Sequence, residues 1–390
     1  MEHAPTSPVR VQAVAEAAFA NTPTQHIFHY TYAGPPRPFR DYLVGRFRWG
    51  RSAQWQAQFY PERVRLNGER VDAHTVVQPD DRVEYLHWRE EEPPEPPPLP
   101  VLHEDEWLLA VHKPDSVPVD PGGVFYFSSL ALLMRERRGE PALTPLHRLD
   151  LETSGVLLSA RRRAEVGRWH QLFTDKSAAE TLRKTYRALV HGHVPEHLRE
   201  IRSWLKPAGG RIQTRLRLVE TTAEGTAEGT AEATNEDTAK NTSKDTAART
   251  AKRIAEHGHV EPSLTRILTV RHHTTPRGRF SELELEPVTG KTNQLRVHLA
   301  HVGHPIVGDK KYHPDEGVFL DWLEHRDFAR LREVLVLERQ ALQCETLAFT
   351  HPFSHQPLEI RALAGSWAGK IAPVLPSALA ASLAGPSSLP

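Results

Sequence analysis

The sequence predicts an α+β protein with a mixed sheet, preceded by a small separate module. Strand-like apolar stretches such as "WLLAVHK" and "FSELELEPV" are interspersed with helix-like stretches such as "LALLMRERRG". They follow one another without the regular strand–helix–strand repeat that a doubly wound parallel sheet requires. A run of prolines and glutamates, "REEEPPEPPPLP", separates this larger region from a shorter one near the N-terminus.

Composition limits the class of protein. A chain of 390 residues corresponds to two or three domains at ~100–200 residues each. No run approaches the ~18 apolar residues of a membrane span, and Glu2 and Glu16 interrupt the N-terminal stretch, so neither a membrane protein nor a secreted one is expected. Cys344 is the only cysteine, which excludes an internal disulfide and a paired-thiolate zinc site and favours the cytoplasm.

The N-terminal region divides into an extension and a module. Residues 1–35 show no sustained period and are expected to form a loose extension. Within residues 36–90, "FRDYLVGRFR" predicts a helix and "DRVEYLHW" a strand. The stretch "RVRLNGERV" predicts two further strands joined by a tight turn at Asn67-Gly68. Together these elements predict a small α+β module.

Charge is unevenly distributed, although the formal net charge is zero. Residues 36–70 contain eight arginines and only three acidic residues. A phosphate backbone responds to local charge within a Debye length of ~8–10 Å, so this arginine surplus favours a polyanion as partner. A solvated surface without a partner remains the alternative.

The remaining chain is expected to contain a linker, a large domain and a tail. Clustered prolines predict a semi-rigid linker at 91–102. The large domain is expected over 103–375 and a C-terminal tail over 376–390. From Thr221 to Thr250 no apolar side chain is larger than alanine, and threonine, a poor helix former, recurs every fourth residue. This composition predicts a disordered insertion at about 221–255.

The stretch "HRLDLETSG", residues 147–155, places charged residues beside a turn. If it is extended, Arg148 and Asp150 project from the same face because side chains alternate along a strand. The following "SGVLLSA" is typical of a buried strand and would put Asp150 at a strand–turn junction. An ordinary turn explains the pattern as well, since Asp, Thr and Ser oxygens commonly bond nearby backbone N–H groups.

Three further segments contain residues suited to chemistry. "VHKPDSVPVDPGG" places Lys113 before a proline-rich loop, and "RKTYRALVHG" places Lys184 and Tyr186 on one face of a strand. "VTGKTNQLRVHLAHVGHPIVGD" places Arg296 near the start of a helix that follows a Thr-Gly turn. With "HRLDLETSG", these segments resemble, in the same order along the chain, the RluA-type family of RNA pseudouridine synthases.

The resemblance covers roughly residues 103–370, and the module at 36–90 resembles the S4-like RNA-binding domain that many members carry. It implies a catalytic domain built on a mainly antiparallel sheet flanked by helices and loops. The implied reaction turns uridine into pseudouridine in ribosomal or transfer RNA, and the S4-like module favours ribosomal RNA. No group is gained or lost, so no metal, nucleotide or redox cofactor is required. A cytoplasmic monomer with RNA as its partner is expected.

The resemblance also assigns the site residues. Asp150 matches the family's aspartate, which must be ionised whether it acts as a nucleophile or removes a ribose proton. Arg296 matches its basic partner, and a guanidinium can hold a carboxylate by two parallel hydrogen bonds. Tyr186 matches the tyrosine that can stack on uracil and assist removal of the C5 proton. Arg148 matches the arginine that occupies the gap left by the extruded uridine.

Other cations are predicted phosphate contacts, although a solvated face explains them nearly as well. The chain departs from the family's usual Arg-Thr-His after "TG", since Lys291 keeps the charge without the guanidinium fork and Asn293 lacks the ring. These departures put RNA contacts or substrate preference in doubt. The predicted phosphate contacts are Lys113, Lys184, Lys291, Arg161, Arg162 and Arg163.

Three other functions remain open on the sequence. One is an RNA-binding protein whose catalytic site is vestigial. Another is a glycosidase that uses Asp150 with Glu152, although their spacing does not assure the ~5–9 Å separation that such a pair needs. A third is a metal-binding protein, prompted by 23 histidines. The "HGH" at 191–193 and "RHH" at 271–273 lack carboxylate or cysteine partners at ligand spacing.

Overall fold

The computed structural model divides the chain into two compact units. One comprises Met1–Pro94 with Gly123–Ser128, and the other comprises Glu95–Gly122 with Ser129–Pro390. No helix in the described part of the chain is long and apolar enough to cross a membrane. The predicted insertion at about 221–255 and the tail at 376–390 lie outside the described residues. The structure describes residues 24–46, 63–72, 74–122, 125–174, 182–207, 216–218, 261–325 and 327–363.

The first unit contains a three-stranded antiparallel sheet with a helix. Helix α1 forms where the sequence predicts it, because Phe39 and Leu43, one turn apart, are both buried in the unit's core. The strand order in the sheet is β1-β5-β3. The elements are β1 (Gln25–Thr31), β2 (Arg37–Pro38), α1 (Phe39–Arg46), β3 (Val64–Leu66), β4 (Val76–Val77) and β5 (Arg82–Trp88), with β2 paired to β4.

Two predictions for this unit are wrong. Residues 25–31, expected to be a loose extension, pair along their whole length with β5, because "HIFHYT" is rich in strand-forming aromatic and β-branched residues. The chain does turn at Asn67-Gly68, both with positive φ, but only Glu69 then bridges back to Leu66. The Asn67 side chain bonds Asp81 Oδ1 and the Arg82 backbone N–H, so the turn is tied to β5. The described residues 69–72 form no second hairpin strand.

The predicted linker begins inside the first unit. The Glu92 side chain is almost fully buried and accepts hydrogen bonds from three consecutive backbone N–H groups, those of residues 126, 127 and 128. It also accepts from the Ser128 hydroxyl and pairs with His87 Nε2 at 2.7 Å. Burial acts to raise the pKa of Glu92, but these hydrogen bonds outweigh it and lower the pKa to about 2. The first residues of the proline-rich stretch are therefore structural.

The second unit is built on an 11-stranded mixed sheet. Its order is β12-β11-β13-β14-β10-β15-β9-β7-β6, with β16 paired to β15 and β8 to β9. Among the described strands every pair is antiparallel except β9 with β15. The predicted mixed, mainly antiparallel α+β fold is confirmed. The strands are β6 (Val101–Glu104), β7 (Leu108–Lys113), β8 (Thr144–Pro145), β9 (Ser154–Ala160), β10 (Arg183–His191), β11 (Glu200–Pro207), β12 (Leu216–Leu218), β13 (Glu261–Thr275), β14 (Gly278–Pro287), β15 (Leu342–Thr350) and β16 (Pro357–Arg361).

Helices flank this sheet and close its apolar core. The sequence predicts helices in "LALLMRERRG", "RAEVGRWHQLF" and "TNQLRVHLAHVG", and the structure confirms all three. Two more helices follow them among the described residues. One core cluster includes Leu189, Leu285 and Leu299, and another includes Leu158 and Trp169. The helices are α2 (Leu130–Arg138), α3 (Val166–Thr174), α4 (Gln294–His301), α5 (Glu316–His325) and α6 (Phe328–Leu335).

A glycine lets β15 lie against β9. Gly155 has φ +115°, and a Cβ at this position would lie 2.1 Å from the Cys344 carbonyl oxygen. Next to it, Ser154 Oγ donates to Gln343 Oε1 at 3.1 Å. Ser154 and Gly155 therefore permit the parallel contact, which holds the start of β9, and with it the preceding turn, in the interior of the sheet between β15 and β7.

Candidate active site

Asp150 lies in the turn that leads into β9, at the wall of a cavity of about 570 Å³. The Thr153 N–H donates to the Asp150 carbonyl at 3.0 Å, so the residue lies in a hydrogen-bonded turn, with β9 beginning at Ser154. The turn interpretation of the sequence is therefore right about the backbone. The Asp150 side chain is 29% exposed and faces the same cavity as Arg148, Tyr186 and Arg296.

The basic partner of Asp150 is Arg296, as expected, but the hydrogen-bond pattern differs. Arg296 Nη1 donates to Asp150 Oδ2 at 2.7 Å. Its two-bond fork is instead made with Asp309, through Nε at 2.7 Å and Nη2 at 2.9 Å. The predicted bidentate Asp150 pair is wrong, because the fully buried Asp309 takes the fork and leaves one N–H group for the more exposed acid.

Asp309 is a site residue that the sequence reading missed. Burial acts to raise its pKa, but the charge and hydrogen bonds of Arg296 outweigh burial and hold the pKa of Asp309 below its usual value. Its Oδ1 also accepts the backbone N–H groups of Lys311 and Tyr312. The sequence feature that could have indicated Asp309 is the "HPIVGD" stretch, an apolar run that ends in Gly-Asp 13 residues after Arg296.

Asn293, one of the departures from the family pattern, also contacts Arg296. It precedes α4 in the left-handed conformation, φ +54°, which asparagine tolerates better than most residues. Its Oδ1 accepts from Arg296 Nη1 at 3.0 Å, and its Nδ2 donates to the Tyr312 hydroxyl at 3.3 Å. Besides any role toward RNA, this asparagine orients the guanidinium group that bonds Asp150.

Tyr186 and Lys184 lie on one face of β10 and line the cavity together, as the alternation predicted. The β10–β15 register shifts between Thr185 and Tyr186, a bulge of the kind that redirects a side chain near a site. Burial, together with the neighbouring Cys344 and Asp150, raises the pKa of Tyr186 well above its usual value, so the phenol keeps its proton at neutral pH. Burial also lowers the pKa of Lys184.

His147 is a second cavity residue that the sequence reading did not assign. Its Nε2 accepts the Leu158 backbone N–H at 3.1 Å, and its ring stacks on Phe173 with centroids 5.4 Å apart. Burial, with the charge of Lys184 adding to it, lowers the pKa of His147 to about 3. The imidazole is therefore neutral, and its proton must lie on Nδ1.

The structure separates the predicted RNA contacts into two groups. Arg148, Lys184 and Lys291 line the cavity. Lys113 does not, because it is fully buried and its Nζ donates to three carbonyl oxygens, those of Pro114, Leu151 and Thr153, at 2.8, 3.0 and 2.8 Å. Burial also lowers the pKa of Lys113 to about 7. The predicted phosphate contact is corrected: this lysine holds the backbone of the Asp150 turn.

The cluster at residues 161–163 does not line the cavity either. Arg161 bonds Glu140 through Nε at 3.1 Å and the Asp105 carbonyl through Nη1 at 2.8 Å. Arg162 pairs with Glu106 at 2.5 Å, and Arg163 is exposed at the start of a 3-10 turn. The intramolecular partners of Arg161 and Arg162 weaken the case for phosphate contacts, whereas Arg163 remains available at the surface.

The geometry bears on two of the alternative functions, the glycosidase and the metal-binding protein. The Glu152 carboxylate bonds Lys310 Nζ at 2.7 and 2.9 Å and is not a cavity-lining residue, which argues against its acting as a second glycosidase carboxylate with Asp150. His193 and His272 stack with ring centroids 4.6 Å apart. Within the described residues, however, no three His, Cys, Asp or Glu side chains gather as a metal would require.

Comparisons with known proteins identify the family of the chain. Residues 107–301, half of the chain, match the family model described as RNA pseudouridylate synthase. Ribosomal large subunit pseudouridine synthase C of Yersinia pestis is 29% identical over 67% of this chain and 64% of its own length. The mitochondrial tRNA pseudouridine(32) synthase of Saccharomyces cerevisiae is 25% identical over 74% of this chain and 54% of its own. The chain thus spans less than two thirds of the length of both relatives.

Among solved structures, human RNA Pseudouridylate Synthase Domain Containing 1 superposes with a TM-score of 0.47 and 24% sequence identity. The superposition covers 69% of this chain and 85% of that one.

Proposed function

Since the chain belongs to the RNA pseudouridylate synthase family, we propose that it converts specific uridines in RNA into pseudouridine. The observation that carries the proposal is the Asp150 carboxylate at a cavity wall, bonded to Arg296 at 2.7 Å and sharing that cavity with Tyr186. The reaction breaks the N1–C1′ bond, forms a C5–C1′ bond, and exchanges the proton on C5 for one on N1. Atoms and electrons balance without an oxidant, a metal or a nucleotide cofactor.

Asp150, Arg296 and Tyr186 each have a separate role in the proposed reaction. Asp150, as a carboxylate, starts the reaction either by attacking as a nucleophile or by removing a ribose proton. Arg296 orients the carboxylate and supplies a positive charge beside it. The Tyr186 ring stacks on the turning uracil. Because its phenol keeps its proton, Tyr186 assists removal of the C5 proton by hydrogen bonding and not as the base, and the proton passes to the Asp150 carboxylate once the C5–C1′ bond has formed.

RNA recognition requires the uridine to leave its stack, which costs a few kcal/mol. Arg148 is exposed beside Asp150 and is suited to fill the gap with its planar guanidinium. Lys184 and Lys291 line the same cavity and would contact the phosphates that flank the flipped nucleotide. Arg163 would add an outer phosphate contact.

The relatives and the first unit support RNA as the substrate class. One relative is named for ribosomal and the other for transfer RNA. The arginine-rich segment at 36–90, which we propose is an S4-like RNA-binding module, favours ribosomal RNA. The protein would act in the cytoplasm as a monomer. An RNA-binding protein with a vestigial site is the alternative, but the intact Asp150–Arg296 pair argues against it.

Transcriptome-wide mapping of pseudouridine tests the function. RNA from cells with and without the gene should differ at one or a few uridines, and wild-type protein should restore them. Asp150→Asn should restore none while binding the same RNA with unchanged affinity. Restoration by Asp150→Asn, or identical maps with and without the gene, would contradict the proposal.

A further inference from the structure

Two adjacent residues hold the two members of the Asp150–Arg296 pair in place. Asp309 bonds Arg296 directly, and Lys310 bonds the turn that contains Asp150. Asp309 takes the guanidinium fork of Arg296. Lys310 Nζ donates to both carboxylate oxygens of Glu152, at 2.7 and 2.9 Å, and Glu152 lies in the same turn as Asp150. One short segment therefore fixes both the helix that supplies the cation and the turn that supplies the acid.

The Lys310 side chain is held in place by more than its ion pair. It is 3% exposed, its Nζ also donates to the Glu338 carbonyl at 2.5 Å, and it lies 4.8 Å from the centroid of the Trp322 ring. A buried ammonium is stable only with such partners, since an unpaired charge in this position would be costly. Lys310 can therefore act as a rigid arm that keeps Glu152 in one position.

The backbone of this segment is also fixed. Gly308 has φ +80°, and a Cβ there would lie 2.2 Å from the Arg339 carbonyl oxygen. The chain at 308–310 thus lies directly against the backbone that supplies the Glu338 carbonyl. Trp322 and Glu338 both follow the family-matched region, which ends at residue 301. This support is built by the part of the chain that contains α5 and α6.

We propose that Lys310 and Glu152 are positioning residues that hold Asp150 against Arg296. The inference rests on the proposed function for its effect on turnover, but not for its effect on geometry. The Asp150 side chain has a single hydrogen-bond contact, with Arg296, among the described residues. Its position therefore depends on the turn. Lys113 and the Gln340–Thr153 bond at 2.6 Å hold the turn from other directions and should keep a Lys310 variant folded.

The test combines kinetics with a structure. In Lys310→Met and Glu152→Gln, kcat should fall about 10- to 100-fold, as expected when a reacting group is displaced by about 1 Å. Affinity for RNA should stay within about twofold, because neither residue lines the cavity. Lys310→Arg should recover most of the activity. The double variant should lose no more than the worse single variant, because both substitutions break one interaction. Glu333→Gln, at an exposed position of α6, is the matched control for the Glu→Gln exchange and should behave as wild type.

Crystal structures of wild type and Glu152→Gln provide a readout that does not need activity. The Asp150 Oδ2 to Arg296 Nη1 distance should lengthen in the variant beyond hydrogen-bond reach, about 3.5 Å. An unchanged distance, or unchanged kcat in an active enzyme, overturns the positioning role. If wild type makes no pseudouridine while the variant still displaces Asp150, the proposed function fails and the positioning role stands. Should Lys310→Met not fold, Glu152→Gln alone decides.

Discussion

Glu92 in the first unit and Asp150 in the second are both carboxylates at a turn, but their surroundings differ. Glu92 is almost fully buried and accepts three backbone N–H groups, a hydroxyl and a histidine. Asp150 is 29% exposed and, among the described residues, its carboxylate accepts from Arg296 alone. The fold provides hydrogen-bond donors for both oxygens of the Glu92 carboxylate. The Asp150 carboxylate can still accept further hydrogen bonds, and it faces a cavity.

The difference separates a structural acid from a reactive one. A carboxylate whose oxygens are fully bonded cannot approach a substrate without breaking the fold. Asp150 is instead held through its neighbours: Lys113 bonds the carbonyls on either side of Glu152, and Lys310 bonds the Glu152 side chain. The fold stabilises the turn and leaves the reactive group itself available.

The largest expected effect is on turnover, through Arg296→Lys. A lysine cannot give a two-bond fork to Asp309 and also reach Asp150, so both acids lose their orientation. We expect single-turnover rates about 100- to 1,000-fold lower, the range for loss of a preorganised charge contact. Arg330→Lys, which changes an exposed arginine paired with Asp321, should leave the rate unchanged. Equal rates in wild type and Arg296→Lys would show that the contact with Arg296 does not make Asp150 reactive, and the contrast with the structural Glu92 would then be unsupported.

Amide substitution should lower stability far more at Glu92 than at Asp150. Glu92→Gln places amide hydrogens against backbone donors and should lower the unfolding free energy of the first unit by about 3 kcal/mol. Asp150→Asn should change the stability of the second unit by less than about 1 kcal/mol, because its ion pair is partly exposed. Hydrogen exchange of the β5 and β9 amides measures both. Glu90→Gln, an exposed neighbour, is the control, and a similar loss there would contradict the role of Glu92.

Acid should weaken the first unit through Glu92. The pKa of Glu92 is about 2 in the fold, below its ordinary value of 4.5, so its stabilisation is present above pH 4.5 and is lost as the pH falls toward 2. Between pH 6 and pH 3 its contribution should fall by about 2 kcal/mol. Urea unfolding of wild type and Glu92→Gln at several pH values would show their difference shrinking over this range. A constant difference would contradict the assignment.

The smallest effect is expected from deleting residues 221–250. Their composition offers no apolar side chain larger than alanine, so the deletion should leave turnover within about twofold and the melting temperature nearly unchanged. A thermal melt and a turnover assay of the shortened chain, each compared with the full chain, measure these two effects. A large fall in melting temperature would show that this segment belongs to the folded core.

The sequence predicted elements whose apolar pattern is local and missed those that depend on distant partners. β9 and β10 follow from alternation and apolar runs. β15 was missed because Gln343 and Thr346 interrupt its apolar pattern, although both are buried in the sheet. The Gln343 side-chain oxygen accepts from Ser154 Oγ, 189 residues away in the chain. No local window contains that partner.

The site, like the fold, was predicted only in part from the sequence. The resemblance identified Asp150, Arg296 and Tyr186, and the structure brings all three to one cavity. It did not predict that Arg296 would divide its donors between two acids. Nor could it show that Lys113 is buried, because two of its three carbonyl partners lie 38 and 40 residues away.

The parallel contact of β9 with β15 has a consequence for synthesis of the protein. β15 begins at residue 342, so nearly the whole chain must leave the ribosome before β9 and β10 acquire the strand between them. Until then β10 presents an open edge from Arg183 to Ala188, the residues that later pair with β15, and an open edge invites pairing with other chains. Truncation before residue 342 should therefore yield an aggregating product, and cellular chaperones are expected to associate with the nascent chain until its final segment emerges.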